Sequence, residues 1–138
     1  MERPSRDEII MEVAYAFSRR GTCDRLRVGA AIARDGRVLV TGYNGPPAGL
    51  PHCDALCTIR HTTGCLVAVH AEANAIAYAA RYGISTATAD LYTTHLPCLG
   101  CSQLIINAGI SRVLYRTDYR DHSGLDLLRA ASVDIMIL

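Results

Sequence analysis

A three-layer α/β/α sandwich around a five-stranded mixed sheet is the fold this sequence predicts, and three observations predict it. An antiparallel hairpin opens the sheet. Strand-like and helix-like periods then alternate to the end of the chain. Such alternation pairs strands in parallel through right-handed crossovers, which place helices on both faces. At 138 residues, half of them apolar, the chain is long enough to bury a real core, and residues 1–138 are expected to form one domain.

Each element has its own signal. Ser5-Arg6-Asp7-Glu8 has the spacing of a capping box, and Ile9, Val13 and Phe17 with Ile10 and Ala14 give a helical apolar face ending near Gly21. Val28 to Ala33 and Val38 to Tyr43 are strand-like runs joined by Arg34-Asp35-Gly36-Arg37, whose Asp-Gly signals a hairpin turn. An irregular stretch from Gly45 to Val69 follows, too long to lie structureless in a compact domain. Residues 70–82 read as an Ala-rich helix stopping at Gly83. Asp90 to Thr94 then reads as a strand, Cys98 to Ala108 as a helix closed by Gly109, and Arg112 to Tyr115 as another strand. A last helix, Leu125 to Ala131, precedes Val133 to Leu138, an apolar run that reads as a buried strand.

Composition narrows the function classes. The net charge of +1 comes from interspersed acids and bases, so there is no basic field for a nucleic-acid backbone and a small-molecule substrate is favoured. The opening Met1 to Glu8 is too charged for a signal peptide, and the most apolar later stretch is broken by His70, Glu72 and Asn74. A cytoplasmic chain with no membrane partner is expected. In that reducing compartment the six cysteines point to metal ligands rather than disulfides.

His70-Ala71-Glu72, followed later by Pro97-Cys98-Leu99-Gly100-Cys101, is the most informative pattern. A structural zinc is normally closed by four protein ligands, whereas a hydrolytic zinc takes three and leaves the fourth position for water. His70, Cys98 and Cys101 make three. If the segment after Pro97 opens a helix, the i, i+3 spacing of the thiols puts both on one face of its first turn, and His70 at the start of residues 70–82 adds a second helix N-terminus, favouring thiolate there. Glu72 is left over as a proton carrier. This is the pattern of zinc nucleobase deaminases. Alone, the His-x-Glu is commonplace and the Cys-x-x-Cys could be a redox pair or half a zinc ribbon; the order and helix-start context carry the argument.

A second, closed zinc site is expected at Cys23, Cys53, Cys57 and Cys65. Three of these lie within the long irregular stretch, Cys53 and Cys57 have a zinc-compatible spacing, and Cys23 could close the set from outside it. His52 and His61 are the substitutes if one of the thiols is instead packed as a small hydrophobe.

Four motifs in one order carry a family resemblance: Val28-Gly29-Ala30, Gly42-Tyr43-Asn44-Gly45, His70-Ala71-Glu72-Ala73-Asn74-Ala75-Ile76 and Thr94-His95-Leu96-Pro97-Cys98. From about residue 9 onward the chain closely resembles the deoxycytidylate (dCMP) deaminases, in particular the bacterial and phage branch that includes a late-competence operon deaminase. The resemblance implies the cytidine-deaminase-like sandwich with strand order 2-1-3-4-5. It also implies zinc-dependent hydrolytic deamination of dCMP to dUMP with release of ammonia, feeding thymidylate synthesis. Glu72 would then shuttle protons, Asn44 would look toward the sugar, and the backbone of Ala71 would lie against the base. Family members carry a comparable second metal site at the positions matching Cys23 and Cys53.

Other roles stay open at this stage. An Asn in Tyr-Asn-Gly also serves a turn, so Asn44 has two readings. An arginine should hold the phosphate, because a guanidinium fits it in a bidentate way; Arg25 and Arg27 precede the first strand, with Arg27 the candidate. Tyr115 and Tyr119 follow the fourth strand, and Tyr119 is the candidate for pyrimidine contact, with rim packing the alternative. The resemblance further implies an allosteric site at Tyr43, Asn44, Gly45 and Arg81, answering dCTP and dTTP with Mg2+ accompanying the triphosphate, and a homohexamer. The rivals are deamination of dCTP or of a C5-modified dCMP, deamination of a tRNA adenosine, and a non-catalytic zinc scaffold, against which the presence of Glu72 argues.

Overall fold

The computed structural model describes all residues except 24, 54–59, 62, 63 and 66. Its elements are α1 (Arg6–Ser18), β1 (Gly29–Arg34), β2 (Arg37–Tyr43), β3 (Arg60–His61), β4 (Gly64–Cys65), α2 (Ala71–Arg81), β5 (Asp90–His95), α3 (Leu99–Asn107), β6 (Arg112–Thr117), α4 (Ser123–Ala130) and β7 (Asp134–Ile137). The main sheet has the order β2-β1-β5-β6-β7. Counting only its own members, that is 2-1-3-4-5, as the resemblance implied. β1 pairs antiparallel with both β2 and β5, while β5, β6 and β7 run parallel.

Burial divides the sheet into two faces by the period-2 rule. Ala30, Ile32, Leu91 and Val113 pack against Ala71, Ala75 and Ala79 of α2, Ile105 of α3 and Leu128 of α4. Ala31, Ala33, Tyr92 and Leu114 pack against Ile10, Met11 and Ala14 of α1. The expected three layers are therefore present, with α1 the helix on one side among the described residues.

The local signals work as the sequence suggests. Ser5 Oγ accepts from Glu8 N at 3.2 Å while Glu8 Oε2 accepts from Ser5 N at 2.6 Å, closing the capping box. Asp35 and Gly36 sit at φ 53° and 73°, the paired positive values of a type I′ hairpin turn.

Three expectations need correction. The face of α1 turned to the sheet is Ile10, Met11, Ala14 and Ser18, whereas Ile9 and Phe17 stay 45% and 38% exposed. The cause is the closeness of helix and sheet: a Cβ at Gly29 would run into Ala14 O and lie 2.7 Å from Ser18 N, so small residues must face inward. The helix also stops at Ser18 rather than near Gly21. At the other end of the sheet, β7 forms but is not buried, with Met136 43% and Ile137 60% exposed, because it is an edge strand. The segment after Pro97 opens α3 as expected, with Cys98 as its N-cap. In the long stretch, Gly45 and Val69 pair in an isolated bridge and β3 and β4 form a short ribbon, neither of which the sequence pattern revealed. Among the described residues, no helix is long and apolar enough to cross a membrane.

One polar cluster pins α1 to the sheet. Arg112 of β6 donates to both carboxylate oxygens of Asp7 at 3.1 and 3.0 Å and to Asp90 Oδ2 at 2.8 Å, and Tyr92 Oη donates to Asp7 Oδ1 at 2.6 Å. Burial pushes the Asp7 carboxyl up, but the Arg112 and Tyr92 hydrogen bonds outweigh it and hold Asp7 below its usual range. A lowered carboxylate contributes stability that is present above the unfolded pKa of about 4 and is lost as pH falls through the folded value. Arg112→Met is expected to cost about 1–2 kcal/mol at pH 7 in urea unfolding, since a bidentate but partly exposed pair is lost. The gap between parent and variant should close as the pH is taken below about 4. Equal stability of the two at pH 7 would contradict this account of the cluster.

Candidate metal and catalytic site

Two helix beginnings converge above the sheet. His70 is the N-cap of α2, with extended backbone at φ −68° and ψ 154°, and Cys98 is the N-cap of α3, its Sγ accepting from Cys101 N. Both helix N-termini direct unpaired N–H groups and the positive end of a dipole toward one spot, which favours anionic ligands there.

Each beginning is seated on a glycine. A Cβ on Gly42 of β2 would strike Ala71 O and come within 2.8 Å of Ala75 N, so the first turn of α2 rests directly on the strand. A Cβ on Gly124 of α4 would strike Pro97 O and come within 2.9 Å of Cys98 C. Gly42 belongs to one of the resemblance motifs, but the packing role of both glycines is not legible in the sequence, because only the three-dimensional approach of backbones creates it.

The convergence gathers His70, Cys98 and Cys101, whose ligating atoms all lie within 4.8 Å of one another. His70 Nδ1 is 3.4 Å from Cys98 Sγ and 3.5 Å from Cys101 Sγ. A tetrahedral zinc bound at about 2.0–2.1 Å by nitrogen and about 2.3 Å by sulfur separates those two atoms by roughly 3.5 Å, so the three residues fit the ion. The Cys98 thiol is pushed down to about 4 by hydrogen bonds with Cys101 and His70. Cys101 is pushed up by its bond to Cys98 and by burial, and His70 is raised chiefly by its bond to Cys98. Cys98 is thus the readier thiolate, as a metal ligand must be.

Glu72 stands in the first turn of α2 and is 3% exposed. Its Oε1 accepts from Thr93 Oγ1 at 2.9 Å. With His70, Ala71, Cys98 and His95 it lines a cavity of about 280 Å³. The sequence pattern singles out no role for Thr93, and His95 enters it only within a resemblance motif, although the alternation of β5 identifies both: Leu91, Thr93 and His95 share the face turned to α2. The His95 Nδ1 lies 2.8 Å from Thr94 Oγ1, and burial lowers its pKa.

Other sequence candidates divide clearly. Asn44 and Tyr119 line the same cavity, as does Arg25, whereas the exposed Arg27 does not. Tyr115 is buried against Leu96 and Leu125. The Asn44 carboxamide accepts from Val28 N at 2.7 Å and donates to Leu26 O at 2.8 Å, so it also braces the entry to β1. Tyr43, Asn44 and Gly45 line a separate, larger cleft of about 640 Å³ that contains none of the His and Cys donors just described. Arg81 is not part of that cleft; its guanidinium lies 5.6 Å from the Tyr82 ring centre. Cys23 and Cys65 line the smaller cavity, and Cys53 N donates to Thr22 Oγ1 at 3.4 Å. Among the described residues these cysteines do not form a second compact ligand group, and Cys57 lies outside the described residues.

A three-layer sandwich with a His–Cys–Cys group shared between two helix N-termini and a buried glutamate beside it defines the cytidine-deaminase-like class. Comparison with known proteins narrows this. The family model for the cytidine and deoxycytidylate deaminase zinc-binding region matches residues 4–117, and the chain belongs to that family. It is 42% identical over 122 residues to ComE operon protein 2 of Bacillus subtilis, covering 88% of this chain and 65% of that protein. It is 43% identical over 127 residues to the deoxycytidylate deaminase of Mycobacterium phage D29, covering 83% of this chain and 97% of that one. The crystal structure of a dCMP deaminase from cyanophage S-TIM5 in complex with dCMP and dUMP matches over 100% of both chains, with a TM-score of 0.88 and 32% identity. The chain therefore spans slightly less than two thirds of the Bacillus relative and nearly all of the phage relative.

Gly42→Ala is expected to lift the first turn of α2, cost about 1–3 kcal/mol through overpacking and reduce zinc retention. Gly100→Ala, where a Cβ meets nothing within 4 Å, should change neither. Melting temperature and metal content after dialysis check both, and full zinc retention by the Gly42 variant would contradict the seating argument.

Proposed function

We propose that this chain is a zinc-dependent hydrolase converting dCMP to dUMP and ammonia, supplying dUMP for thymidylate synthesis in the cytoplasm. The observation that carries it is the gathering of His70, Cys98 and Cys101 beside the buried Glu72 in one cavity. The cyanophage neighbour, solved with dCMP and dUMP, supports the choice of nucleotide.

Zinc held by His70, Cys98 and Cys101 would acidify the attacking water and stabilise the charge it gains. Glu72 takes a proton from that water and delivers it to N3 as the C4–O bond forms. It then takes the remaining proton from the C4 hydroxyl and gives it to the exocyclic nitrogen. The C4–N bond breaks, ammonia leaves, and the 4-oxo product remains. Ala71 presents backbone to the base from the floor of the cavity, and Asn44 and Tyr119 border the sugar side. The phosphate falls to Arg25, the arginine that lines the cavity among the described residues, in place of Arg27.

Two further assignments belong to the same reading. The larger cleft at Tyr43 to Gly45 is the place for an effector nucleotide. A closed second zinc at Cys23, Cys53, Cys57 and Cys65 belongs to this reading, with the Cys53 backbone bond to Thr22, the residue before Cys23, in its favour.

Glu72→Gln should keep zinc but lose at least a hundredfold in turnover of dCMP, because an amide cannot carry the proton. Turnover within tenfold of the parent would remove Glu72 from its role. Metal analysis of the same samples should give two zinc ions per chain if the second site is real and one if it is not. Separately, the parent should turn over dCMP far more efficiently than deoxycytidine, and Arg25→Ala should erase most of that preference by raising KM for dCMP alone. An undiminished preference in the variant would clear Arg25 of the phosphate.

A further inference from the structure

We infer that Thr93 is a positioning residue that fixes the Glu72 carboxylate for proton transfer. The inference rests on Glu72 acting as the proton carrier proposed above. Five polar or charged residues are buried among those described: Ser18, Glu72, Thr93, Thr94 and Ser102. Ser18 and Ser102 turn their hydroxyls to carbonyls of their own helical turn, and Thr94 accepts from Gly29 N. Thr93 is the one whose hydroxyl reaches a carboxylate, meeting Glu72 Oε1 at 2.9 Å.

That hydroxyl has one proton and two acceptors in reach, since His95 O lies 3.0 Å away. A carboxylate is the stronger acceptor, so the proton is directed to Glu72, and a hydrogen bond to a charged group is roughly twice as strong as a neutral one. Thr93 is fully buried in the centre of the sheet, on a strand paired on both sides, and its β-branched side chain is stiff about χ1. Glu72, by contrast, is a long side chain with several rotatable bonds. Cys101 also hydrogen-bonds Glu72, but from the ligand group itself, whereas Thr93 is the partner that belongs to the sheet. The bond from Thr93 therefore pins Oε1 of the carboxylate to the rigid sheet at the place where Glu72 lines the cavity. Orientation of this kind governs the chemical step rather than substrate capture, because the hydroxyl is held by Glu72 and His95 O.

Purified, zinc-loaded Thr93→Val removes the hydroxyl at nearly constant volume, and Thr93→Ser keeps it. Steady-state deamination of dCMP, zinc content and dUMP affinity are measured for each beside the parent. The valine variant should lose about tenfold in kcat with KM, dUMP affinity and zinc content within twofold of the parent, and the serine variant should retain kcat within threefold. Valine at parental kcat, or serine as impaired as valine, would overturn the inference. So would a loss of zinc or a rise in KM matching the fall in kcat, either of which marks a packing role. Thr93→Ala gives the same comparison if valine prevents folding. A parent chain inactive on dCMP overturns the proposed function itself, an outcome distinct from an active parent indifferent to Thr93.

Discussion

Two helix N-termini must meet at one point, and most of this structure follows from that requirement. His70 and Cys98 are 28 residues apart in sequence, yet their ligating atoms lie 3.4 Å apart. Local propensity cannot bring them together. The sheet and the last helix do so by offering the two helical turns a seat at backbone contact distance, through Gly42 of β2 under α2 and Gly124 of α4 against the Pro97–Cys98 turn. With those seats filled by bare backbone, the N–H groups and dipoles of both helices point at the same place, and a cluster of one imidazole and two thiols becomes tolerable without separation. Metal affinity then couples to the packing of the sandwich, because losing either seat spreads the ligands.

The same arrangement explains how an ionisable side chain survives at 3% exposure. A buried carboxylate is costly unless it is hydrogen-bonded. Thr93 meets that demand from β5, a strand paired on both sides, so the partner cannot move independently of the core. On the proposed function, stability and chemistry draw on one bond here. On the opposite face, the Asp7–Arg112–Asp90 cluster plays a purely structural part, fastening α1 to the first residues of β5 and β6.

Features set by short-range physics could be read from the sequence directly. The capping box at Ser5, the type I′ turn at Asp35-Gly36 and the start of each ligand-bearing helix all depend on residues within one or two turns of each other. The ligand set was legible for a chemical reason: three soft or borderline donors plus a spare carboxylate have few other uses at helix starts. What escaped depends on approach between distant segments. The apolar pattern points to a different inward face for α1, because the nearness of Gly29 selects Ala14 and Ser18 over the bulkier Phe17. The apolar composition of Val133 to Leu138 suggested burial, but no sequence pattern says which strand will be an edge. Arg25 and Arg27 differ only in which way the chain enters β1, a direction that Asn44 sets through its bonds to Leu26 and Val28.

The most direct test of the account is to supply the zinc-loaded chain with dCMP in water enriched in oxygen-18, and to follow both products. The account predicts one ammonia released per dUMP formed, with one labelled oxygen at C4, and neither product from protein stripped of metal. Absence of ammonia from zinc-loaded protein, or dUMP without label at C4, would contradict it.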